Sequence, residues 1–271
     1  MKDIAITIVN YKMVEDIREL LYSLEKDLTG SNLKIQVAVI DNTPADGAWL
    51  MLKNNFPEVR YLPQDENLGF GRAQNVGLKA VEAKYYFILN PDTIFPPSER
   101  VIPRLYDFLE THPAIGMIGP KLLNTDGGLQ YSCYRFPSFF IPLYRRSALG
   151  QRPGNKKRID EYLMKDFSHE EARPVDWLMG SAMFARGQAL KEAGFFDERY
   201  FMYFEDCDLC RRFWEAHWPV YYVPQIKITH RHGKGSAIVP GFWKSMLKNS
   251  LTRAHIASWL KYVWKWRGLN T

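Results

Sequence analysis

The first third of the chain alternates short apolar runs with amphipathic ones. Residues 2–9 are almost wholly apolar, which is typical of a strand buried on both faces of a sheet. Residues 14–28 repeat apolar side chains at helical spacing, which predicts an amphipathic helix. The alternation continues with strands predicted at 34–40, 59–62 and 85–89 and helices predicted at 72–83 and 100–111. Repeated strand–helix–strand units favour a parallel sheet joined by right-handed crossovers.

The rest of the chain has a weaker pattern. Residues 127–174 mix proline, glycine, aromatic and basic side chains, and we interpret them as a long loop region that moves over a site. Regular elements are predicted around them: a strand at 115–118, an ordered segment at 177–186, helices at 188–193 and 205–216, and a strand at 220–228. A boundary near Pro240 divides a domain of residues 1–240 from a C-terminal, basic, amphipathic helical extension of residues 241–271.

Composition and cysteine content narrow the class of protein. With 271 residues, 46% of them hydrophobic and 24% charged, the chain has the composition of a globular protein. It contains neither a recognisable secretory signal nor an apolar stretch of about 18 uncharged residues, so we expect no membrane-spanning helix. Three cysteines are too few for a disulfide framework and fit a reducing, cytoplasmic environment. Cys207 and Cys210 form a C-x-x-C without a second pair, so we interpret them as small helix residues.

The formal net charge of +6 is concentrated in two stretches that contain no acidic residue, 138–159 and 241–271. Localised positive charge indicates an anionic partner. In residues 241–271, tryptophans and basic residues alternate at loosely helical spacing, which allows two interpretations. The helix lies in the interface of an anionic bilayer, or it docks on the main domain with its basic side chains in solvent.

Three short acidic runs carry most of the chemical information. Asp41 and Asp92 each follow a predicted buried strand, and the third run, Glu205, Asp206 and Asp208, follows an aromatic cluster. The carboxyl ends of parallel strands border the crevice where open α/β sheets bind ligands. Each run alone is also typical of a turn or a helix start. Together they predict an enzyme site for a nucleotide, a metal and a proton-transferring group.

A glycine-rich run at residues 66–77 accompanies the acidic runs. Glycines before a helix allow the backbone to approach a ligand closely, and the helix N-terminus attracts phosphate. The run is not a Walker loop, because no Gly-Lys-Ser/Thr follows. It also does not follow the first strand, as a dinucleotide-binding fingerprint does.

Taken in order, these motifs resemble those of the family-2 glycosyltransferases, and most closely the bacterial rhamnosyltransferase branch. The resemblance covers about residues 3–236 and is carried by Ile8-Val9-Asn10-Tyr11, Val39-Ile40-Asp41-Asn42, Asn67-Leu68-Gly69-Phe70-Gly71, Leu89-Asn90-Pro91-Asp92 and Phe204-Glu205-Asp206-Cys207-Asp208. It implies inverting enzymes with the GT-A fold: a single α/β domain with a mostly parallel central sheet flanked by helices.

The resemblance also implies roles for individual residues. Asp206 is the catalytic base, supported by Asp208 and Glu205. Asp92 is the metal-binding acid, with His230 or His232 as a further ligand to Mg or Mn. Asn90 stands where many relatives carry the first acid of an Asp-x-Asp motif, which leaves one anionic ligand. The nucleotide-sugar cleft is lined by Val9, Asn10, Asp41, Asn67, Gly69, Arg72, Asn75 and Asn90. The acceptor side is formed by Trp177, Gly180 and Ser181.

The function implied by the resemblance is the transfer of a sugar from a nucleotide diphosphate donor to a saccharide or lipid-linked saccharide in bacterial surface polysaccharide synthesis. L-Rhamnose from dTDP-rhamnose is the expected donor sugar, and a UDP-hexose or UDP-N-acetylhexosamine is the alternative. A sugar nucleotidyltransferase is a further alternative, although its Gly- and Arg-containing loop is missing after the first strand. A non-catalytic basic module that binds membrane or nucleic acid is the last alternative. It leaves the acidic runs unexplained, so we expect no nucleic acid partner. We expect the protein in the cytoplasm, peripheral on the inner face of the membrane if residues 241–271 bind lipid.

Overall fold

The computed structural model describes residues 1–231 and 249–267. Its first half is the predicted parallel sheet, with strand order β3-β2-β1-β4 and every neighbouring pair parallel. The elements are β1 (Lys2–Asn10), α1 (Val14–Asp27), β2 (Ile35–Asp41), α2 (Ala48–Asn55), β3 (Arg60–Pro63), α3 (Phe70–Ala80) and β4 (Ala83–Leu89). The four strands, α1 and α3 therefore form where the sequence pattern predicts them, whereas α2 was not predicted.

The second half of the sheet is mixed. Its order continues β4-β11-β6-β12-β5, with β11 antiparallel to both of its neighbours and β6 parallel to β12. The larger elements here are α4 (Val101–Thr111), β6 (Met117–Leu123), β11 (Ala182–Arg186), α7 (Gly187–Ala193), α8 (Glu205–Glu215) and β12 (Val220–His230). Short strands complete this half: β5 (Thr93–Ile94), β7 (Leu129–Gln130), β8 (Cys133–Tyr134), β9 (Arg173–Pro174) and β10 (Trp177–Leu178). The fold is a mixed α/β domain, as expected.

Helices cover both faces of the sheet. On one face α1 and α4 bury residues such as Leu20 and Leu105 against Ile6 and Ile8 of β1. On the other face α3, α7 and α8 pack on the alternate side chains of the strands. Burial of an aliphatic side chain contributes about 1.5–3 kcal/mol, so this three-layer packing holds the strand ends in fixed positions.

The interpretation of residues 127–174 as a long loop region is wrong. The segment contains two helices, α5 (Ile141–Arg145) and α6 (Pro153–Tyr162), besides the short strands. Tyr134 and Tyr162 stack with ring centroids 5.4 Å apart, and Ile141 is buried in the same cluster. A five-residue helix is too short to show a period in the sequence, and tertiary packing of aromatic side chains stabilises it instead.

The last helix, α9 (Ser250–Lys265), lies within the predicted C-terminal extension. Its N-terminus is capped by Asn249, whose Oδ1 accepts a hydrogen bond from the amide of Leu251 at 2.9 Å. The helix docks on the main domain, where Tyr262 is buried and Ser258 Oγ donates to the carbonyl of Met202 at 2.8 Å. The boundary near Pro240 lies outside the described residues. Within residues 1–231 and 249–267, no helix is both long and apolar enough to cross a bilayer.

Candidate functional site

The predicted site segments meet at one edge of the sheet. Asn10 and Asp41 are register partners at the carboxyl ends of β1 and β2, and β4 ends at Leu89 beside them. Because β11 is antiparallel to β4, it begins at this same edge, and the amide of Asn90 donates to the carbonyl of Ser181 at 2.9 Å. All three acidic runs therefore border a common edge, where α/β sheets bind ligands.

Asp41 is held rigidly at this edge. Its side chain is fully buried and accepts hydrogen bonds from Asn10 Nδ2 at 2.8 Å, the Tyr61 hydroxyl at 2.7 Å and the Thr43 amide at 2.9 Å. Burial raises the pKa of Tyr61, and the hydrogen bond to Asp41 raises it further, so this hydroxyl remains a donor. A carboxylate has about four acceptor sites, which leaves Asp41 capacity for a ligand donor.

The glycine-rich run forms a loop that contacts the segment before α8. Gly69 has φ +78°, and a Cβ there would lie 2.0 Å from the carbonyl oxygen of Phe201. Phe70 donates its amide to the same carbonyl at 3.0 Å. Asn67 Oδ1 accepts from the Gly69 amide at 2.9 Å, and Asn42 Nδ2 donates to the Gly69 carbonyl at 3.0 Å. Glycine is required here both by its left-handed conformation and by this close approach.

The other predicted cleft residues around this loop differ in exposure. Arg72 is exposed on the first turn of α3, whereas Val9 is buried against Ile40 beneath the loop. Asn75 is also buried, and its amide bonds the backbone of Phe196, donating to the carbonyl at 2.8 Å and accepting from the amide at 2.9 Å. The contacts of Asn75 thus join α3 to the segment before α8 and do not point to the cleft.

Asp92 lies beside His230, the last residue of β12. Oδ1 of Asp92 is 3.1 Å from Nε2 of His230, and Asn90 Nδ2 is 3.4 Å from the same nitrogen. His232, the other predicted ligand, lies outside the described residues. Among those that are described, no cluster of three or more His, Cys, Asp or Glu side chains suited to a metal occurs.

The orientation of the His230 ring is set by Gln130. The amide nitrogen of Gln130 donates to Asn124 Oδ1 at 2.9 Å and to the His230 carbonyl at 3.4 Å, so its oxygen faces His230 Nδ1, 2.6 Å away. Nδ1 must therefore carry the proton that this oxygen accepts. In the neutral ring, Nε2 then presents its lone pair to the Asp92 carboxylate.

Two acceptor atoms facing each other require a positive charge between them, from a second ring proton or from a cation. Ligands in adjacent octahedral positions, with bonds of about 2.1 Å, lie about 3.0 Å apart. The separation of 3.1 Å between His230 Nε2 and Asp92 Oδ1 fits that requirement. Mg²⁺ in proteins is commonly bound through one or two carboxylates plus substrate phosphates. The spacing of Asp92 and His230 therefore fits a divalent cation.

Asp206 stands at the N-terminus of α8, and its carboxylate points toward Gly180. Oδ2 accepts the Gly180 amide at 2.9 Å and Oδ1 accepts the amide of Cys207 at 2.8 Å. A Cβ on Gly180 would lie 3.5 Å from Oδ2, so glycine keeps the carboxylate accessible on that side. Burial raises the pKa of Asp206 to about 6, which places its ionisation just below neutral pH, the range suited to a general base.

Glu205, the neighbour of Asp206, is more deeply buried. Burial raises the pKa of Glu205 well above its usual value, and the charge of Asp206 raises it further. Glu205 Oε2 and Ser181 Oγ are both buried and make no hydrogen bond within the described part of the chain. Burial and the neighbouring Asp206 charge thus both favour the protonated form of Glu205.

Asp208 occupies a different environment from Asp206, although only two residues separate them. It is fully buried, and its carboxylate accepts hydrogen bonds from Lys265, Arg212 and Trp266. The distances are 2.7 Å to Lys265 Nζ, 2.9 Å to Arg212 Nε and 2.9 Å to Trp266 Nε1. Its contacts anchor α9 to α8 and do not turn toward the sheet edge. By these contacts Asp208 holds α9 on the helix that carries Asp206, and its role in support of catalysis stays a prediction.

Trp177, predicted on the acceptor side, belongs to an aromatic cluster. Its ring stacks on Tyr134 with centroids 4.4 Å apart, and Nε1 donates to the Arg135 carbonyl at 3.0 Å. The ring is only half-buried, so part of it remains available. The neighbouring Gly180 and Ser181 lie at the sheet edge, beside Asp206 and Asn90.

The structure adds site residues that the sequence did not indicate. Tyr61 and Gln130 orient Asp41 and His230, and Lys265 neutralises Asp208. Gln74 of α3 is fully buried, and neither of its amide atoms is hydrogen-bonded to another described residue. Three of these four belong to no motif, and Gln74 stands in the glycine-rich run without a predicted role. Each is recognisable only from its partner, or its lack of one among the described residues, in three dimensions.

Comparison with protein-family models gives a match that covers most of the parallel half of the sheet and continues beyond it. The model described as glycosyl transferase family 2 matches residues 3–164. This range contains β1 to β8 and therefore includes Asp41, the glycine-rich run and Asp92.

Curated relatives extend the match beyond this range. The N-acetylglucosaminyl-diphospho-decaprenol L-rhamnosyltransferase of Mycobacterium tuberculosis (strain H37Rv) is 33% identical over 207 residues, which is 72% of this chain and 66% of the relative. The rhamnosyltransferase WbbL of Escherichia coli (strain K12) is 29% identical over 171 residues, 60% of each chain. The chain thus spans just under two thirds of the length of the first of these relatives.

Solved structures support the fold. The structure of S. aureus TarS 1-349 superposes with a TM-score of 0.53 at 16% identity, covering 82% of this chain and 60% of that one. At this identity the likeness concerns the architecture alone.

Proposed function

Because the chain belongs to glycosyl transferase family 2, we propose that it transfers a sugar from a nucleotide diphosphate donor to a saccharide or lipid-linked saccharide, with inversion at the anomeric carbon. The observation that carries this proposal is the sheet edge shared by Asp41, Asp92 and Asp206. It offers a polar nucleotide pocket, a cation site and a base, which are the three requirements of the reaction. A sugar nucleotidyltransferase would not need the base, and a non-catalytic module would need none of the three.

We propose L-rhamnose as the donor sugar, carried on dTDP as the family resemblance implies. The names of two relatives, the rhamnosyltransferases of M. tuberculosis and E. coli, support the sugar. The name of the first also includes a diphospho-decaprenol, which supports a lipid-linked acceptor. A UDP-hexose or UDP-N-acetylhexosamine is the alternative donor. This alternative is tested too, because the hexosyltransferase Agl10 of Haloferax volcanii is also similar, with 24% identity over 217 residues.

Asp206 acts as the base on the acceptor. The acceptor hydroxyl oxygen attacks the anomeric carbon, the bond from that carbon to the diphosphate oxygen breaks, and the hydroxyl proton passes to the Asp206 carboxylate. The amides of Gly180 and Cys207 hold this carboxylate in place, and burial raises the pKa of the adjacent Glu205, which disfavours a second negative charge beside the base. Such a base contributes about 10²–10⁴-fold to the rate.

The diphosphate leaving group needs positive charge. Transferases of this family generally use a divalent metal ion. Asp92 and His230 would hold it here, with Gln130 fixing the tautomer of the ring. When bound, the cation neutralises the negative charge that develops on the departing phosphate. Arg72, exposed at the first turn of α3, provides a second positive charge at the same edge.

The donor side consists of Asn10, Asp41 and the glycine-rich loop. The Asp41 carboxylate accepts a hydrogen bond from the base or ribose of the nucleotide, while Asn10 and Tyr61 keep it in place. Gly69 lets the loop backbone approach the donor without a side chain between them. Trp177, Gly180 and Ser181 form the acceptor side, where the half-buried indole offers a flat apolar face for a sugar.

The test is a donor screen on the purified chain. Release of nucleoside diphosphate is measured with dTDP-rhamnose, UDP-glucose and UDP-N-acetylglucosamine, with and without Mn²⁺ and with a lipid-linked N-acetylglucosamine acceptor. We expect cation-dependent turnover with dTDP-rhamnose. Turnover with a UDP-sugar alone would replace the donor assignment. Conversion of a donor and added pyrophosphate into nucleoside triphosphate and sugar 1-phosphate would favour a nucleotidyltransferase. Inactivity with every donor, together with tight binding to nucleic acid, would overturn the proposal.

A further inference from the structure

The outward face of α9 is apolar at its centre and basic at its rim. Leu260 and Trp264 are 52% and 61% exposed, one helical turn apart on the side opposite the buried Tyr262. Three exposed basic side chains, Arg253, Lys261 and Arg267, surround them. Solvent-facing helices ordinarily carry polar residues at such positions. This face therefore suits a partner that combines apolar surface with negative charge.

A second segment, distant in sequence, extends the same surface. Phe139 and Phe140 are 47% and 48% exposed, and the Phe139 ring lies 5.1 Å from the ring of Trp259 on α9. The fold therefore brings the start of the acid-free stretch 138–159 against the acid-free C-terminal segment.

Arg145 and Arg146 closely follow Phe140, whose ring stacks on that of Tyr144 with centroids 5.8 Å apart. The first ring of this short run contacts α9, so the run brings both arginines near that helix. Burial and the charges of the two arginines together lower the pKa of His255 on α9 to about 3, in agreement with this placement. The start of the first acid-free stretch thus adds positive charge beside α9.

We propose that this composite surface, formed by α9 and residues 139–146, docks on an anionic lipid bilayer. Four large apolar side chains, two aromatic from one segment and a leucine and tryptophan from the other, enter the interface between headgroups and acyl chains. The arginines and lysines pair with anionic headgroups, each adding about 1 kcal/mol near a charged membrane surface.

The chemistry of the surface favours a bilayer over other anionic partners. Nucleic acid is bound by positive charge and stacking, and neither uses an exposed leucine. An acidic protein could pair with the basic side chains at the rim. The apolar centre, however, is a convex helix face, which suits insertion into a soft lipid interface better than binding in a shaped pocket. A second copy of this chain would bring the same positive charges together, which is unfavourable.

Docking on lipid deepens the proposed function. It rests on that function only for its biological reason, the presence of a lipid-linked acceptor in the membrane. Met202 and Phe204, directly before Glu205 and Asp206, contact α9 through Ser258, His255 and Tyr262. A bilayer on the outer face of α9 would therefore hold a lipid-linked acceptor on the side of the molecule where the base lies.

The experiment is co-sedimentation of the full chain with vesicles, and it needs neither donor nor acceptor. Vesicles of phosphatidylcholine alone are compared with vesicles that also contain phosphatidylglycerol. We expect sedimentation with the anionic vesicles, weakened by high salt. Removal of two apolar side chains from the bilayer interface predicts at least a tenfold weaker partition for the double variant Leu260→Ser/Trp264→Ser.

A matched control is available on α2, where Leu50 and Trp49 are 60% and 51% exposed. The double variant Leu50→Ser/Trp49→Ser should sediment as the unaltered chain does. A second test variant, Phe139→Ser/Phe140→Ser, should weaken binding even if the α9 variant folds poorly.

Four results would overturn the inference: no sedimentation, equal sedimentation with neutral vesicles, equal loss in test and control variants, or a dimer or DNA complex that Leu260→Ser/Trp264→Ser abolishes. Because no sugar is transferred in this assay, failure to bind vesicles leaves the transferase proposal intact. Failure of the donor screen likewise leaves a positive vesicle result standing.

Discussion

The ammonium group of Lys265 lies 2.7 Å from one carboxylate oxygen of Asp208 and 2.9 Å from the other, across 57 residues of sequence. Asp208 is fully buried two residues after the proposed base, so this ion pair connects the C-terminal helix to the helix that carries the base. A buried carboxylate without its partner is strongly unfavourable.

Lys265→Met should therefore destabilise the protein. We expect a loss of about 2–4 kcal/mol in the free energy of unfolding, because Arg212 remains as a partner of Asp208. Urea denaturation measures it. The control Lys157→Met removes an 80% exposed lysine with a loose pair to Glu161, and should cost less than about 0.5 kcal/mol. Equal losses in the two variants would show that the Asp208 contact contributes little.

Asp206→Asn should abolish base catalysis and leave the fold intact. The amide keeps the size of the side chain but does not accept a proton, so turnover should fall by about 10²–10⁴-fold. The melting temperature and donor binding by thermal shift should stay close to those of the unaltered chain. Asp107→Asn, at an exposed position of α4, is the control and should keep full activity. Normal turnover in the Asp206 variant would remove this residue from the base role.

The rate should depend on pH through Asp206. Burial raises the pKa of this carboxyl to about 6, and the base works only when ionised. The value of kcat/KM should therefore be constant at pH 7–8 and fall about tenfold per pH unit below about 6. A pH profile measured between pH 5 and 8 checks this, with circular dichroism confirming that the chain stays folded. A midpoint near the ordinary aspartate value, about 4, would contradict the environment described for Asp206.

Gly69→Ala should be more damaging than Gly47→Ala. Both glycines have positive φ, +78° and +93°, so alanine strains the backbone at each position by about 1–2 kcal/mol. Only at Gly69 would the added Cβ also meet the Phe201 carbonyl, at 2.0 Å, whereas at Gly47 no atom lies within 4 Å. We expect a larger loss of stability and a raised KM for the donor in the Gly69 variant. Similar behaviour of both variants would mean that the loop contact is unimportant.

Gln130→Leu should weaken cation binding without touching a proposed ligand. The change removes the acceptor for His230 Nδ1, so the ring loses its fixed tautomer. Such second-layer contacts typically contribute 10–100-fold to metal affinity. Mn²⁺ titration in the presence of dTDP, followed by thermal shift, measures the affinity. The exposed Gln188→Leu is the control, and unchanged affinity in both would argue against a cation at Asp92 and His230.

Much of this molecule is predictable from its sequence. Apolar runs at β1, β2 and β4 are long enough to define buried strands, and the polar residues after them identify the sheet edge. The direction of β11 was not predictable, because β-strand patterning carries no sign of orientation. Helix α5 was missed because its five residues complete little more than one turn.

The candidate site was likewise predictable from the sequence only in part. Asp41 and Asp206 stand in motifs whose resemblance to a family assigns them roles. The separation between Asp206 and Asp208 is not visible in the sequence, since both belong to one acidic run at a helix start. It depends on Lys265 and Trp266, which reach Asp208 only when α9 has docked.

The order of synthesis gives the Asp208–Lys265 pair a further meaning. Translation proceeds at about 5–20 residues per second, so the 57 residues between them take roughly 3–11 s to add. During that interval the sheet can already assemble on the ribosome while the base-bearing helix still lacks its neutralising lysine. A message truncated shortly before codon 265 would thus yield a chain whose buried Asp208 keeps Arg212 but lacks Lys265, a less stable product and a better substrate for quality-control proteases.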